Sequence, residues 1–435
     1  MPFPENTPLP ISEPDLAGFP TGYDPADVAS PAPADQTGPE AAAPGEQRLA
    51  RRLFRRYERP AASPRRTAVL HTGLFLLTLL TTTLAGVQLT QAREDPVDWL
   101  PVGVFLLPGP AMWAELTRGL QYAAAFLGVL TVHEFGHYFV ARRNRVATSL
   151  PYFIPFPLGL GTFGAVIRIR ERIFSRREFF DIGLAGPLAG FVVALALLAY
   201  AFTHLPPLDY LFSIHPEYAQ FGADYARHVY PPGTQGLTLA RPLLYRLLET
   251  ALADPARLPH PNELLHYPLL LAGVLSLFFT ALNLLPMGQL DGGHILYGLI
   301  GPRAFNRLVP LLFVAFIFYA GLGLFTLHDT GTSWLYWAPV YAIYLLLIFR
   351  RVLPRPWQGW LLAAGIWGAQ LACSELWPGI MGNPGWLAFG QLLGLGTGIY
   401  HPAAPDESRL SPGRQLLGWL MLAIFVLCFS ASPFA

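Results

Sequence analysis

The chain contains no lysine; all 29 of its basic residues are arginine. That bias reflects genome composition, and it leaves every argument from positive charge to arginine alone. Charge of either sign is scarce, at 13% of the residues against roughly 25% in soluble domains. A net charge of +1 gives no basic footprint for a nucleic acid. Cysteine is nearly absent as well. Cys373 and Cys428 both fall in apolar runs, which excludes a disulfide framework and a thiolate metal site and leaves the redox compartment unread. There is no glycine-rich phosphate loop and no Gly-x-Ser-x-Gly elbow, so neither a nucleotide partner nor serine-hydrolase chemistry is indicated. Apolar residues are what the chain has in quantity, at 53% of the sequence with a mean hydropathy of +0.38. The composition predicts an all-α polytopic membrane protein.

A transmembrane helix needs about 20 apolar residues. Candidate spans lie near 68–90, 118–141, 179–203, 267–286, 308–327, 334–350, 358–375 and 415–432, with a weaker, glycine-rich ninth at 383–399. About eight transmembrane helices are therefore expected. Ahead of them, residues 1–47 are rich in Pro, Ala and acidic residues, lack Arg, and read as disordered. They resemble neither a secretory signal nor a basic transit peptide, which favours a bacterial cytoplasmic membrane over a plastid one. Between Arg48 and Arg66, eight arginines face the single Glu58, a topology signal with attraction to anionic lipid.

Arginine bias then orients the spans. Segment 142–178 carries eight Arg and two acids and reads as cytoplasmic; loop 204–266 carries four Arg and six acids and reads as exterior. The N-terminus is accordingly expected in the cytoplasm. The loop histidines His204, His215, His228, His260 and His266 lack ligand spacing and read as solvated or interfacial. The chain divides into a tail and juxtamembrane segment (1–66), a core (67–305), and C-terminal helices (306–435) that carry no chemical motif.

Inside the second apolar run lies His133-Glu134-Phe135-Gly136-His137. Positions i and i+4 share a helix face, so His133 and His137 can turn their imidazoles toward one metal ion. Glu134 lies beside them, placed to take a proton from an attacking water. Two imidazoles and a carboxylate are costly within a membrane span, which marks them as functional. A catalytic zinc usually takes three protein ligands. The best candidate for the third is in Asn283-Leu284-Leu285-Pro286-Met287-Gly288-Gln289-Leu290-Asp291-Gly292-Gly293, where proline and glycine break an apolar run just before Asp291. Span parity agrees: the second and fourth spans run in the same direction, which brings both motifs to one depth near the cytoplasmic ends.

His-Glu-x-x-His followed by Asn-x-x-Pro-x-x-x-Leu-Asp-Gly-Gly resembles the site-2 protease family of intramembrane zinc metalloproteases, in the form without an inserted peptide-binding domain. Gly161–Ala165 and Gly183–Gly190 lie between the motifs in the expected order, so the likeness covers roughly residues 118–300. The resemblance implies that His133, His137 and Asp291 bind one Zn2+ per chain and that Glu134 is the general base. It implies that Asn283 holds the substrate backbone or the oxyanion, and it leaves His294 outside the ligand set. The implied activity is cleavage of single-span or membrane-anchored proteins near the cytoplasmic face of the bilayer. The alternative is an inactive relative that binds membrane clients without cutting them. A prenyl-protein peptidase would need a glutamate ligand, and no comparable Glu motif occurs in the downstream spans.

Two smaller readings complete the sequence. Gly186 and Gly190 form a Gly-x-x-x-Gly pair suited to close packing of the third span on the catalytic helices. From Gly164 the chain runs Ala165, Val166, Ile167, Arg168, Ile169, Arg170, an alternation that predicts a short re-entrant β-hairpin near the active site. Residues Gly164, Ala165, Val166 and Ile167 would bind substrate by adding it as a strand to this edge.

Overall fold

A computed structural model describes residues 64–91, 109–231, 239–350, 352–353 and 355–433. The tail at 1–47 and the arginine cluster up to residue 63 lie outside the described residues. Helices dominate: α1 (Pro64–Gln91), α2 (Gly109–Arg143) and α3 (Arg176–Thr203) come first. Loop 204–266 holds the short α4 (Asp209–Ile214), α5 (Tyr225–Val229) and α6 (Leu243–Leu252), with 3-10 turns at Pro216–Asp224 and Pro261–His266. There follow α7 (Pro268–Asn283), α8 (Asp291–Ile300), α9 (Pro302–Ala320), α10 (Gly331–Phe349), α11 (Pro356–Leu376), α12 (Gly385–Gln391) and α13 (Pro412–Cys428).

Local sequence sets many of these boundaries. Pro268, Pro302, Pro356 and Pro412 open their helices, where the missing N–H is no loss and the fixed φ is already helical. At α3, Ser175 accepts from the Glu178 amide at 3.1 Å while the Glu178 carboxylate accepts from the Ser175 amide at 3.3 Å. Such a capping box satisfies two otherwise orphaned donors, and loss of the cap costs about 1 kcal/mol.

Each expected span has a helix on or near it, yet by length and composition only three of those described can cross a membrane: Arg65–Gln91, Arg176–Thr203 and Pro302–Ala320. The helical architecture is as expected, but the number of about eight spans is not confirmed. α2 is 35 residues long, but His133, Glu134 and His137 dilute its apolar stretch. α7 has 16 residues and stops where Asn283 and Pro286 break the run, short of the about 20 a span needs.

The predicted hairpin is present. β1 (Tyr152–Pro155) pairs antiparallel with β2 (Thr162–Val166), in a register that sets Tyr152 opposite Val166 and Phe153 opposite Ala165. The alternating run continues past β2 by pairing with 147–149: Ser149 N donates to Arg168 O at 2.9 Å and Arg170 N to Ala147 O at 2.8 Å. α1 holds the hairpin through His71 Nδ1 on Pro151 O (2.8 Å) and Thr81 Oγ1 on Gly161 O (2.7 Å). Gly161, at φ 81°, lies so close to α1 that a Cβ would meet Thr82 Cα at 2.3 Å.

Two packed clusters hold the helices together. One joins α2, α3 and α7 through Tyr122, Phe126, Leu198, Phe202 and Leu271; the other joins α9 and α10 through Phe305, Phe313, Ile317 and Phe349. The chain after 305 also reaches back to the core. Gly288 N donates to Ile399 O (3.2 Å), Arg414 Nε to Asp181 Oδ1 (2.7 Å), and His294 Nδ1 faces His401 Nε2 (2.8 Å). One expectation about loop 204–266 fails: His266 is 3% exposed and is grouped with His215 and Glu263.

Candidate metal centre

His133 and His137 project from successive turns of α2, as their spacing requires, and both are buried, as is Glu134. The third member arrives across a break. α7 ends at Asn283, the chain turns through Gly288 at φ 59°, and α8 begins with Asp291. Beyond the turn, Gly292 and Gly293 let α8 start against it: a Cβ on either would meet the carbonyl oxygens of Leu284 or Gly288, at 1.9 and 2.3 Å. Asp-Gly-Gly is thus a packing requirement as well as a ligand signal.

The three donors converge. His133 Nε2 and His137 Nε2 lie 3.3 and 3.2 Å from Asp291 Oδ2 and 3.0 Å from each other. Tautomers give this geometry its meaning. His137 Nδ1 donates to the Ile182 carbonyl at 2.7 Å, so Nε2 of the neutral ring carries a bare lone pair. That lone pair faces a second imidazole nitrogen and a carboxylate oxygen. Groups this close need a shared proton or a cation between them, and two imidazoles with one carboxylate form a donor set that suits zinc. Donors bound to one tetrahedral zinc sit about 3.3 Å apart, given bonds of about 2.0–2.1 Å. The residues present fit that ion.

α3 packs its glycines directly on the two imidazoles. A Cβ at Gly186 would lie 2.1 Å from His137 Nε2, one at Gly190 3.0 Å from His133 Cβ, and one at Gly183 2.6 Å from His294 Cβ. Gly136 on α2 meets α3 in turn, where a Cβ would lie 2.6 Å from the Ala185 carbonyl oxygen. The Gly-x-x-x-Gly pair therefore serves close packing of α3 on α2, as expected, and the surface it packs against includes the metal-site rings themselves.

The remaining predicted residues fall around this group. Asn283 Nδ2 is 3.4 Å from His133 Nε2, and the Glu134 carboxylate faces the Ile167 amide. Gly164, Ala165 and Val166 lie on β2, whose only partner among the described residues is β1. His294 is no member of the group: it bonds His401, which stacks on Tyr297 at 3.7 Å. Sequence reasoning missed His401, because nothing in its local pattern links it to a motif more than 100 residues earlier.

Residues 121–327 match Peptidase family M50. The probable zinc metalloprotease EGY1, chloroplastic, of Arabidopsis thaliana is 30% identical over 235 residues, 53% of this chain and 39% of that protein. The probable zinc metalloprotease EGY2, chloroplastic, of Oryza sativa subsp. indica is 31% identical over 197 residues, 45% of this chain and 32% of that protein. The chain thus spans about two fifths of the length of the curated relatives it matches. Those relatives are named chloroplastic, so they lend no support to the bacterial membrane expected from the sequence. No solved structure matches the chain. Zinc is the metal such a family implies, the apolar helices suit a membrane, and residues 121–327, just under half of the chain, are similar to peptidase family M50, the site-2 protease family.

Proposed function

We propose that this protein is an intramembrane zinc endopeptidase that cuts single-span or membrane-anchored proteins within or near one side of the bilayer. The arginine counts put that side, and the N-terminus, in the cytoplasm. The observation that carries the reading is the convergence of His133, His137 and Asp291 beside a buried Glu134, inside a helical core. These three side chains would hold the ion. Lewis acidity toward the scissile carbonyl, and activation of water at neutral pH, are what a bound zinc supplies.

The chain's own groups do the rest. Glu134 accepts a proton from the attacking water as the new C–O bond forms and then gives it to the leaving amine, on which the peptide C–N bond breaks. Asn283, beside His133, donates to the substrate backbone or to the oxyanion. A helical substrate must become extended before its peptide bond is accessible, and the open edge of β2 offers Gly164–Ile167 as a partner strand. Client binding without cleavage, the alternative, would give Glu134 no use, and nothing favours it.

Glu134→Gln separates the roles. The variant should lose cleavage by at least about a hundredfold, the usual scale of general-base catalysis, while keeping the zinc that His137→Ala and Asp291→Ala both lose. Single-span proteins that accumulate uncut in membranes carrying Glu134→Gln would be the substrates. Wild-type cleavage by the purified variant would overturn the mechanism, and full zinc in Asp291→Ala would move the third ligand elsewhere.

A further inference from the structure

A second cluster has the same make-up. His266 Nε2 lies 3.0 Å from His215 Nε2 and 3.3 Å from Glu263 Oε2, and His215 Nε2 is 3.9 Å from that oxygen. These separations bracket the about 3.3 Å expected of donors on one tetrahedral zinc. Glu263 and His266 are 1% and 3% exposed, and they sit three residues apart on the 3-10 turn Pro261–His266. On a 3-10 helix i and i+3 eclipse, so the two side chains emerge on one line. His215 comes from the junction between α4 and the turn Pro216–Asp224.

Every atom behind these donors is already committed. His266 Nδ1 bonds the Thr90 carbonyl at 2.5 Å, and His215 Nδ1 bonds Glu217 Oε1 at 3.1 Å. Carbonyl and carboxylate oxygens only accept, so both Nδ1 atoms must donate, and both Nε2 atoms of the neutral rings present lone pairs. The other carboxylate oxygen, Glu263 Oε1, accepts from Tyr230 OH at 2.5 Å. Three buried or half-buried acceptors therefore point at one another, each oriented by an outer partner. Metal-ligating histidines are typically held by such outer bonds to a carbonyl or carboxylate. The nearby Arg118 is paired with Glu115.

We propose that His215, Glu263 and His266 form a second metal site, which takes a divalent ion of the zinc class. It lies at the other end of α7 from the first. α7 begins two residues after His266 and ends at Asn283 beside His133, so its 16 residues separate the clusters by roughly 25 Å at about 1.5 Å per residue. The site is structural. It ties the end of α1, through Thr90, to the entry of α7 and to loop 204–266. These three side chains would leave a fourth ligand position to water.

Metal content of the full-length protein in detergent, loaded with Zn2+ and freed of loose metal, tests this in a Glu134→Gln background that prevents self-cleavage. About two zinc ions per chain are expected, about one after adding His137→Ala or His215→Ala, and none after adding both. His215 is partly exposed on a loop, so its alanine variant should fold where His266→Ala would not. As a second measurement, chelation should lower the melting temperature of His137→Ala protein by several degrees and leave the His137→Ala/His215→Ala protein unmoved. One zinc lost only with His215→Ala keeps this site and removes the first. One zinc lost only with His137→Ala, or a count that His215→Ala leaves unchanged, means that protons alone hold the cluster, and the proposal fails.

Discussion

A methyl group at position 186 would lie 2.1 Å from His137 Nε2, closer than any real contact allows. The ring cannot retreat, because its other nitrogen is bonded to Ile182 on the same helix that carries Gly186. Gly186→Ala should therefore displace a donor without changing any donor's identity. The expected outcome is loss of the zinc at the His133 cluster and at least a tenfold fall in cleavage, with expression retained. Gly128→Ala is the control: it lies on α2 with nothing within 4 Å of the added carbon, and both zinc and cleavage should survive. Zinc content of the two proteins, measured side by side, decides whether α3 holds the imidazoles or only lies near them.

At the scale of elements, pleating decides which way each amide of the hairpin points. Residues 168 and 170 bond toward 147–149, so Ile167 points its N–H the other way, toward Glu134. Ile167→Pro deletes that amide and should cut cleavage at least tenfold while zinc stays. Ile167→Ala, which keeps the amide, should stay near wild type, and Val166→Pro, whose amide faces Tyr152 by the same alternation, should fall less. Normal cleavage by Ile167→Pro would end the idea of strand addition. The hairpin and the first cluster were legible because their signals are local: a period of two behind a glycine turn, an i,i+4 histidine pair, a carboxylate after a broken helix. The second cluster was not, since His215 meets Glu263 and His266 across about 50 residues of loop. Its one local cue was Glu-x-x-His, which lines up on a 3-10 turn and is easily passed over when histidines alone are counted. The number of spans was legible only as a set of apolar runs. Length and purity are lost where a helix such as α7 must stop inside the protein to deliver a ligand.

For the whole molecule, sidedness is the quantity on which the proposed site depends. Asn144 follows α2 and Gln220 lies in the far loop, so in a background without Cys373 and Cys428, single cysteines at the two positions should label from opposite sides. An impermeant maleimide added to intact cells should reach only position 220; labelling of both would remove the cytoplasmic placement. The C-terminal helices, which carry no motif of their own, take part in this architecture by bracing the turn before Asp291. Ile399 bonds Gly288, and Gly288 lies so close to Gly398 that a Cβ would meet its carbonyl oxygen at 2.4 Å. That brace has a consequence in time. The ribosome makes Ile399 about 110 residues after Gly288, a delay on the order of ten seconds at about 5–20 residues per second. Through that interval His133 and His137 are already made while the turn before Asp291 lacks its bond to Ile399. A nascent chain stalled before residue 398 should therefore not retain zinc at the His133 cluster, whereas one stalled after α13 should. Under the proposed function, a third ligand secured only once Ile399 has been made would keep the nascent chain from cutting its neighbours in the insertion machinery before that point.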